Sequence, residues 1–216
     1  MNKKNNSRDE YYEHTRKDLL SLLPDSLLIS KSLDVGCGAG KVSKTLKECF
    51  SVETTIGIEK NPDIAKRAKQ NIDLVYNCAV EHPPNFSANE FDLIIFADIL
   101  EHLVDPWQIL QQYCKWLKPE GKILISLPNA QNWKLLLKMA AGNWEYQPSG
   151  LLDREHIRFF TAKTAKRMMD NAGLNLLKMQ RTMGTEFKLI NALTFGIFRG
   201  WWTYHLYCLA QKKNNS

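Results

Sequence analysis

The chain has 216 residues, of which 44% are hydrophobic and 24% charged, and its net charge is +6. These proportions suit one globular domain with a sizeable core and exclude a disordered or fibrous chain. Much of the positive excess sits at the ends, in Lys3, Lys4 and Arg8 and in Lys212 and Lys213; such tails are ordinarily solvated, so no nucleic-acid partner is expected. The five cysteines are odd in number, form no Cys-x-x-Cys pair and follow nothing that resembles a leader, which points to a reduced, cytoplasmic compartment. No apolar run reaches membrane-spanning length.

In chain order, residues 1–7 are polar, and 8–23 read as an N-terminal helix with Tyr12, Leu19, Leu20 and Leu23 near one face. A short strand is expected over 32–35, then a helix over 41–50, a strand over 55–58 and a helix over 62–71 that opens on Pro62. Strand signals recur at 74–76 and, as a continuous apolar run, at 91–97, which suits a strand buried on both faces. A helix over 106–117, stopped by Pro119 and Gly121, leads to a buried strand over 122–127. Strands alternating with helices imply parallel β-α-β units: an α/β, Rossmann-like, doubly wound sheet. Beyond it, 129–141 and 161–172 read as helices, the latter capped by Thr161 and ended by Gly173. Strands are expected at 174–183 and 203–212, separated by an apolar stretch over 187–202. The whole reads as one domain: an N-terminal helix within 1–30, a cofactor-binding half over 31–130 and an acceptor-side half over 131–216.

The strongest chemical signal is Leu33-Asp34-Val35-Gly36-Cys37-Gly38-Ala39-Gly40, a glycine-rich turn between a strand and a helix. Glycines there let a ligand approach the backbone where any Cβ would collide. Glu59 follows about twenty residues later, at the end of the second strand, where a carboxylate can accept from both hydroxyls of a ribose. The dinucleotide fingerprint requires a glycine at position 41 to seat a pyrophosphate, but Lys41 stands there. Asp34, just before the glycines, suits an ammonium group. The pattern argues for S-adenosyl-L-methionine over NAD.

The segments LDVGCGAG, IGIEKNPDIAKRAK, FDLIIFADILEHLVDPWQIL and LKPEGKILISLPN, in this order over about residues 30–130, resemble the class I S-adenosylmethionine-dependent methyltransferases. The resemblance implies a seven-stranded, mostly parallel sheet with one antiparallel strand near the C-terminus. It also implies that Asp34, Gly36, Cys37, Gly38 and Gly40 form the methionine end of the cofactor site and that Glu59 holds the ribose. Lys60, Cys78 and Ala79 would lie beside the adenine, and Ala97 and Asp98 beneath the methionine. An Asp is common in the family where Cys78 stands, so an adenine-amine acceptor is missing here. Family relatives often close the pocket with an N-terminal segment, and Tyr11, Tyr12 and Arg16 are the residues that could cover the sulfonium and pair with the methionine carboxylate; the alternative is a helix that simply packs on the sheet.

Residues 143–161 resemble a bacterial branch associated with glycan or lipid-linked sugar synthesis and broadly similar to ubiquinone-biosynthesis O-methyltransferases. Trp144 and Tyr146 are expected to stack on an acceptor ring, and Arg158 to hold an anionic group, forming a small lid on the acceptor side. His156 is the candidate general base for a hydroxyl acceptor, its alternative being a tie that fixes the loop. Glu101-His102 reads as a builder of the cofactor site rather than a base. No His/Cys/Asp grouping has metal-site spacing, so no metal is expected. The expected activity is O-methylation of a small-molecule or glycan-linked acceptor; the alternatives are a phenol or quinone-precursor acceptor, or a binding module that has lost catalysis. The stretch 187–202 could meet a membrane weakly or pack on the domain, placing the protein in the cytoplasm or at a membrane periphery, as a monomer or homodimer.

Overall fold

The computed structural model describes residues 16–184, 187 and 193–213. Seven strands form one sheet in the order β3-β2-β1-β4-β5-β7-β6: β1 is Ile29–Val35, β2 Val52–Ile58, β3 Leu74–Tyr76, β4 Phe91–Ala97, β5 Leu117–Pro128, β6 Leu174–Met183 and β7 Thr203–Lys212. The first five run parallel to their neighbours. Strand β7 inserts between β5 and β6 and is antiparallel to both. The expected mostly parallel sheet with one antiparallel strand is therefore present.

The helices are α1 (Lys17–Leu20), α2 (Lys41–Cys49), α3 (Pro62–Ala68), α4 (Pro106–Cys114), α5 (Trp133–Ala140), α6 (Ala162–Asn171) and α7 (Arg199–Trp202). Local chemistry explains several of their starts. Asn61 caps α3 by accepting from the N–H groups of Asp63 and Ile64, with Pro62 in the first turn. Thr161 and Thr164 cap α6 reciprocally, as the threonine at its start predicts. Of the helix expected over 8–23, the described part is α1, whose Leu19 and Leu20 are buried; Tyr11 and Tyr12 lie outside the described residues.

Strand β4 shows how the two faces are covered. Its Leu93 and Ile95 pack with Leu19 and Leu20 of α1 and with Val42 and Leu46 of α2. Its alternate residues Ile94 and Phe96 pack with Leu110 and Tyr113 of α4 and with Met168 of α6. The period of two thus distributes one apolar run over two cores.

The start of β5 departs from expectation. Helix α4 ends at Cys114 rather than 117, and residues expected to be a helix stop belong to the strand. Phe91 pairs with Leu117 and Leu93 with Lys122, so residues 118–121 bulge out of register, with Glu120 in the left-handed region at φ 61°. Pro119 and Gly121 mark a bulge, where Pro and Gly are tolerated within a strand.

Candidate active site

The strand order reverses at β1, with β2 on one side and β4 on the other. At such a switch the loops leaving the carboxyl ends diverge and open a crevice. A cavity of about 240 Å³ is found here, lined by Arg16, Asp34, Gly36, Cys37, Gly38, Val42, Glu59, Lys60, Val80, Ala97, Asp98, Ile99, His102 and Glu155. Most of the predicted cofactor residues are thus brought together. Gly40, Cys78 and Ala79 do not line the cavity; Val80 takes the place expected for its two predecessors.

Each wall has a local cause. After β1 the chain passes through Gly36 at φ 68° and Gly38 at φ 53°, and Gly40 follows at 77°. At Gly36 an added Cβ would lie 2.7 Å from Ile99 Cδ1, so this glycine lets the loops after β1 and β4 meet. At Gly40 a Cβ would lie 2.9 Å from Ile72 Cγ1; this glycine serves the packing of α2.

Glu59 holds the turn from the other side. One carboxylate oxygen accepts from the Gly38 N–H at 3.1 Å and the other from the Asn61 N–H at 2.8 Å. Asn77 donates to the carbonyls of Glu59 and Lys60 and fixes the loop that carries them. Each carboxylate oxygen has a second lone pair, so the ribose role remains compatible with these bonds.

Asp34 is buried, with Oδ2 accepting from Ser43 Oγ at 2.7 Å. Burial, opposed by the Ser43 bonds and assisted by the Glu59 charge, raises its pKa to about 6. Asp98 stands at φ 53°, an uncommon conformation for a residue with a side chain. It accepts from Ser126 Oγ, pairs with the Arg16 guanidinium and lies 3.6 Å from His205 Nε2.

Four acidic residues line the cavity, Asp34, Glu59, Asp98 and Glu155, against the basic Arg16 and Lys60. That balance repels a pyrophosphate and favours a ligand carrying sulfonium and ammonium charges. The donor set therefore fits S-adenosylmethionine.

A family model described as a methyltransferase domain matches residues 7–179. The chain belongs to the class I S-adenosylmethionine-dependent methyltransferases. S-adenosylmethionine is accordingly its cofactor. Among curated proteins, the chain is 31% identical to a ubiquinone biosynthesis O-methyltransferase of Idiomarina loihiensis, over 82% of this chain and 70% of that protein. It is 29% identical to the protein of the same name in Aeromonas salmonicida, over 81% of this chain and 76% of that one. Among solved structures, a SAM-dependent methyltransferase from Archaeoglobus fulgidus superposes with a TM-score of 0.71 at 19% identity, over 95% of this chain and 98% of that one. The [4+2]-cyclase SpnF shares the fold at a TM-score of 0.65 and 16% identity, over 95% of this chain and 80% of that one. Fold alone therefore does not fix the chemistry.

The predicted acceptor residues stand elsewhere than expected. His156 is buried and does not line the cavity; its Nδ1 lies 3.3 Å from the Leu151 carbonyl oxygen and its Nε2 3.9 Å from Glu101 Oε1. Arg158 spends its guanidinium on the Val104 carbonyl, which accepts from both Nε and Nη2, while it lies over the Trp107 ring. Trp144 is partly exposed and packs edge-on against Phe159, and Tyr146 is exposed; neither lines the cavity.

Val42, Val80, Ile99 and Glu155, which the sequence does not single out, line the cavity together with His102, which the sequence marks as a builder of the cofactor site. Ile99 adjoins the predicted Asp98 and follows β4 directly, a position that could have flagged it. Glu155 reaches the cavity from a loop more than fifty residues later, which only the fold brings near. Ile157 and Arg158 both donate their backbone N–H to the Glu101 carbonyl at 3.0 Å and sew that loop to the turn Leu100–His102. The same stitching gathers donor atoms of Glu101, His102 and His156 within 4.8 Å of one another, although residue spacing suggested no such group.

Proposed function

We propose that the chain methylates a hydroxyl group of a small-molecule or glycan-linked acceptor. The observation that carries this reading is the cavity wall formed by His102 and Glu155, because it joins the cofactor cleft to the acceptor-side loop. That acceptor-side segment carries partly exposed aromatic rings, Trp144, Tyr146 and Phe159, outside the cavity lining. They offer a platform on which a sugar or planar ring can stack. The names of the curated relatives support oxygen as the methylated atom and favour, as a second reading, a phenolic or quinone-precursor acceptor.

The bound cofactor supplies an activated methyl group on sulfur. The protein's part is to hold, orient and exclude water. Asp34 would receive the ammonium, Arg16 the carboxylate, and Glu59 the ribose hydroxyls, with Ala97 and Asp98 forming the floor. Lys60 and Val80 would border the adenine.

Membrane contact belongs to the same proposal. Leu193, Phe195, Ile197 and Trp201 are exposed just before β7, next to Arg199. An apolar cluster with a neighbouring cation suits an anionic lipid surface, which would serve an acceptor carried on a lipid. Incubation with methyl-deuterated cofactor tests the acceptor class. Label should appear on the oxygen of a catechol or of a lipid-linked sugar; label on nitrogen or carbon alone contradicts the proposal.

A further inference from the structure

The segment before β7 holds an aromatic ring in solvent at a conformational cost. Phe195 and Gly196 stand at φ 51° and 75°, and the Ile197 N–H donates to the Thr194 carbonyl at 3.0 Å to close the turn. Two successive residues of positive φ suit Asn and Gly, so a phenylalanine in the first place is strained. Yet Phe195 is 93% exposed, and its ring offsets none of that strain by packing. Two arginines stand behind this turn. Arg199 opens α7, and its carbonyl accepts from Oγ1 of Thr203, the first residue of β7, at 2.7 Å. On the neighbouring strand, Met183 pairs with Thr203 and Arg181 with Leu206. Both arginines therefore belong to the corner where β6 ends and β7 begins. Among the described residues neither guanidinium has a hydrogen bond or a carboxylate partner. Burial and the Arg199 charge lower the Arg181 pKa, as befits two cations with no anion between them. The sequence explains the missing anion. Residues 129–144, 174–183 and 193–205 hold five basic residues and no Asp or Glu, and they adjoin in the fold, since Asn129 donates to the carbonyls of Gly200 and Thr203.

We propose that Arg181 and Arg199 form a phosphate-binding site for the phosphodiester headgroup of an anionic membrane lipid, while Phe195 and Ile197 enter the acyl layer. This deepens the membrane contact put forward above and rests on it. A guanidinium fork meets two phosphate oxygens at once and is weakly hydrated, so an unpaired couple of arginines suits phosphate at a bilayer surface. The exposed Trp201, two residues beyond Arg199, has the amphipathic ring that favours the headgroup level. The apolar tip and the cationic base of the turn thus match the two layers of a membrane in order. Strand β6 is parallel to β5 through the two antiparallel pairings with β7, so its carboxyl end lies on the sheet edge that carries the cofactor cavity. It stands three strand spacings from β4, roughly 14 Å. A lipid held there brings the bilayer to the acceptor side of the cleft. Neither arginine lines the cavity, so headgroup and cofactor bind without competing.

Partition of the full chain onto vesicles of phosphatidylglycerol in phosphatidylcholine tests this. Arg181→Lys combined with Arg199→Lys keeps both charges and removes both forks. Its partition should fall about tenfold or more below that of the wild type, with affinity for S-adenosylhomocysteine unchanged. The same two positions changed to Gln should lose more. A lysine variant that partitions like the wild type means that charge alone binds, and this overturns the phosphate site while leaving membrane contact standing. A wild type that stays off these vesicles overturns membrane contact and the site with it. Calorimetric titration of the wild type with inorganic phosphate, without vesicles, separates the two sources of the anion. No heat is expected; heat that the lysine variant abolishes assigns the site to a soluble phosphate and overturns the lipid headgroup.

Discussion

Glu59 and Gly38 are joined by a hydrogen bond of 3.1 Å from the glycine N–H to a carboxylate oxygen. The residue expected to grip the ribose thus also holds the glycine turn in shape. The other oxygen caps the loop at Asn61, so recognition and loop geometry share one side chain.

Glu59→Ala should therefore carry two costs. Cofactor affinity should fall by about 1.5–3 kcal/mol, the range for hydrogen bonds to a charged group, and the melting temperature of the cofactor-free protein should fall as well. Glu59→Gln, which keeps one acceptor, should lose less of both. Calorimetric titration with S-adenosylhomocysteine, beside thermal melts, checks this; unchanged affinity in the alanine variant removes Glu59 from the ribose role.

Asp34 gives a pH dependence of known sign. Its pKa is raised from 3.8 to about 6 in the fold, so the folded state favours the protonated form. The cofactor-free protein is relieved of this cost at low pH and bears it progressively as pH rises through 6, up to about 3 kcal/mol. Asp34→Asn should accordingly raise the melting temperature at pH 7 and change little at pH 4. The same variant should bind cofactor more weakly at pH 7, because an ammonium needs the carboxylate. Wild-type affinity should weaken below pH 6. A variant that melts lower at pH 7 would contradict the assignment.

Arg16 is paired with Asp98 at the cavity. If its guanidinium also receives the amino-acid carboxylate, Arg16→Gln should weaken S-adenosylhomocysteine about tenfold or more, the size of a charge-assisted bond. It should leave 5′-methylthioadenosine, which lacks that carboxylate, unaffected. Equal loss for both ligands would mark Arg16 as a support of the loop.

The exposed apolar residues before β7 lead to a flotation experiment. Vesicles containing anionic phosphatidylglycerol should carry the wild type upward, and Phe195→Ser with Ile197→Ser should stay below. Protein that remains at the bottom with both neutral and anionic vesicles contradicts membrane contact.

Much of this architecture is legible in the sequence because local signals and tertiary demand agree. The bounds of β3, β4, β6 and β7 coincide with the expected runs, and the Asp34–Gly40 turn with Glu59 predicts most of the cofactor cleft. The bulge at 118–121 is less legible, since Pro119 and Gly121 break a helix and permit a bulge equally well. The acceptor side is least legible. His156 and Arg158 have the chemistry of a base and an anion clamp, yet the fold turns one toward Glu101 and the other onto the Val104 carbonyl. Those partners lie some fifty-five residues earlier, and no periodicity reports a pairing of that span.

We propose that this cavity holds S-adenosylmethionine through Asp34 and Glu59. Calorimetry of the unmodified chain at pH 7.5 with S-adenosylhomocysteine and with NAD tests it most directly. One molecule of S-adenosylhomocysteine should bind per chain, competed by S-adenosylmethionine, with no heat from NAD. Binding of NAD in preference, or of neither ligand by a folded protein, would contradict it.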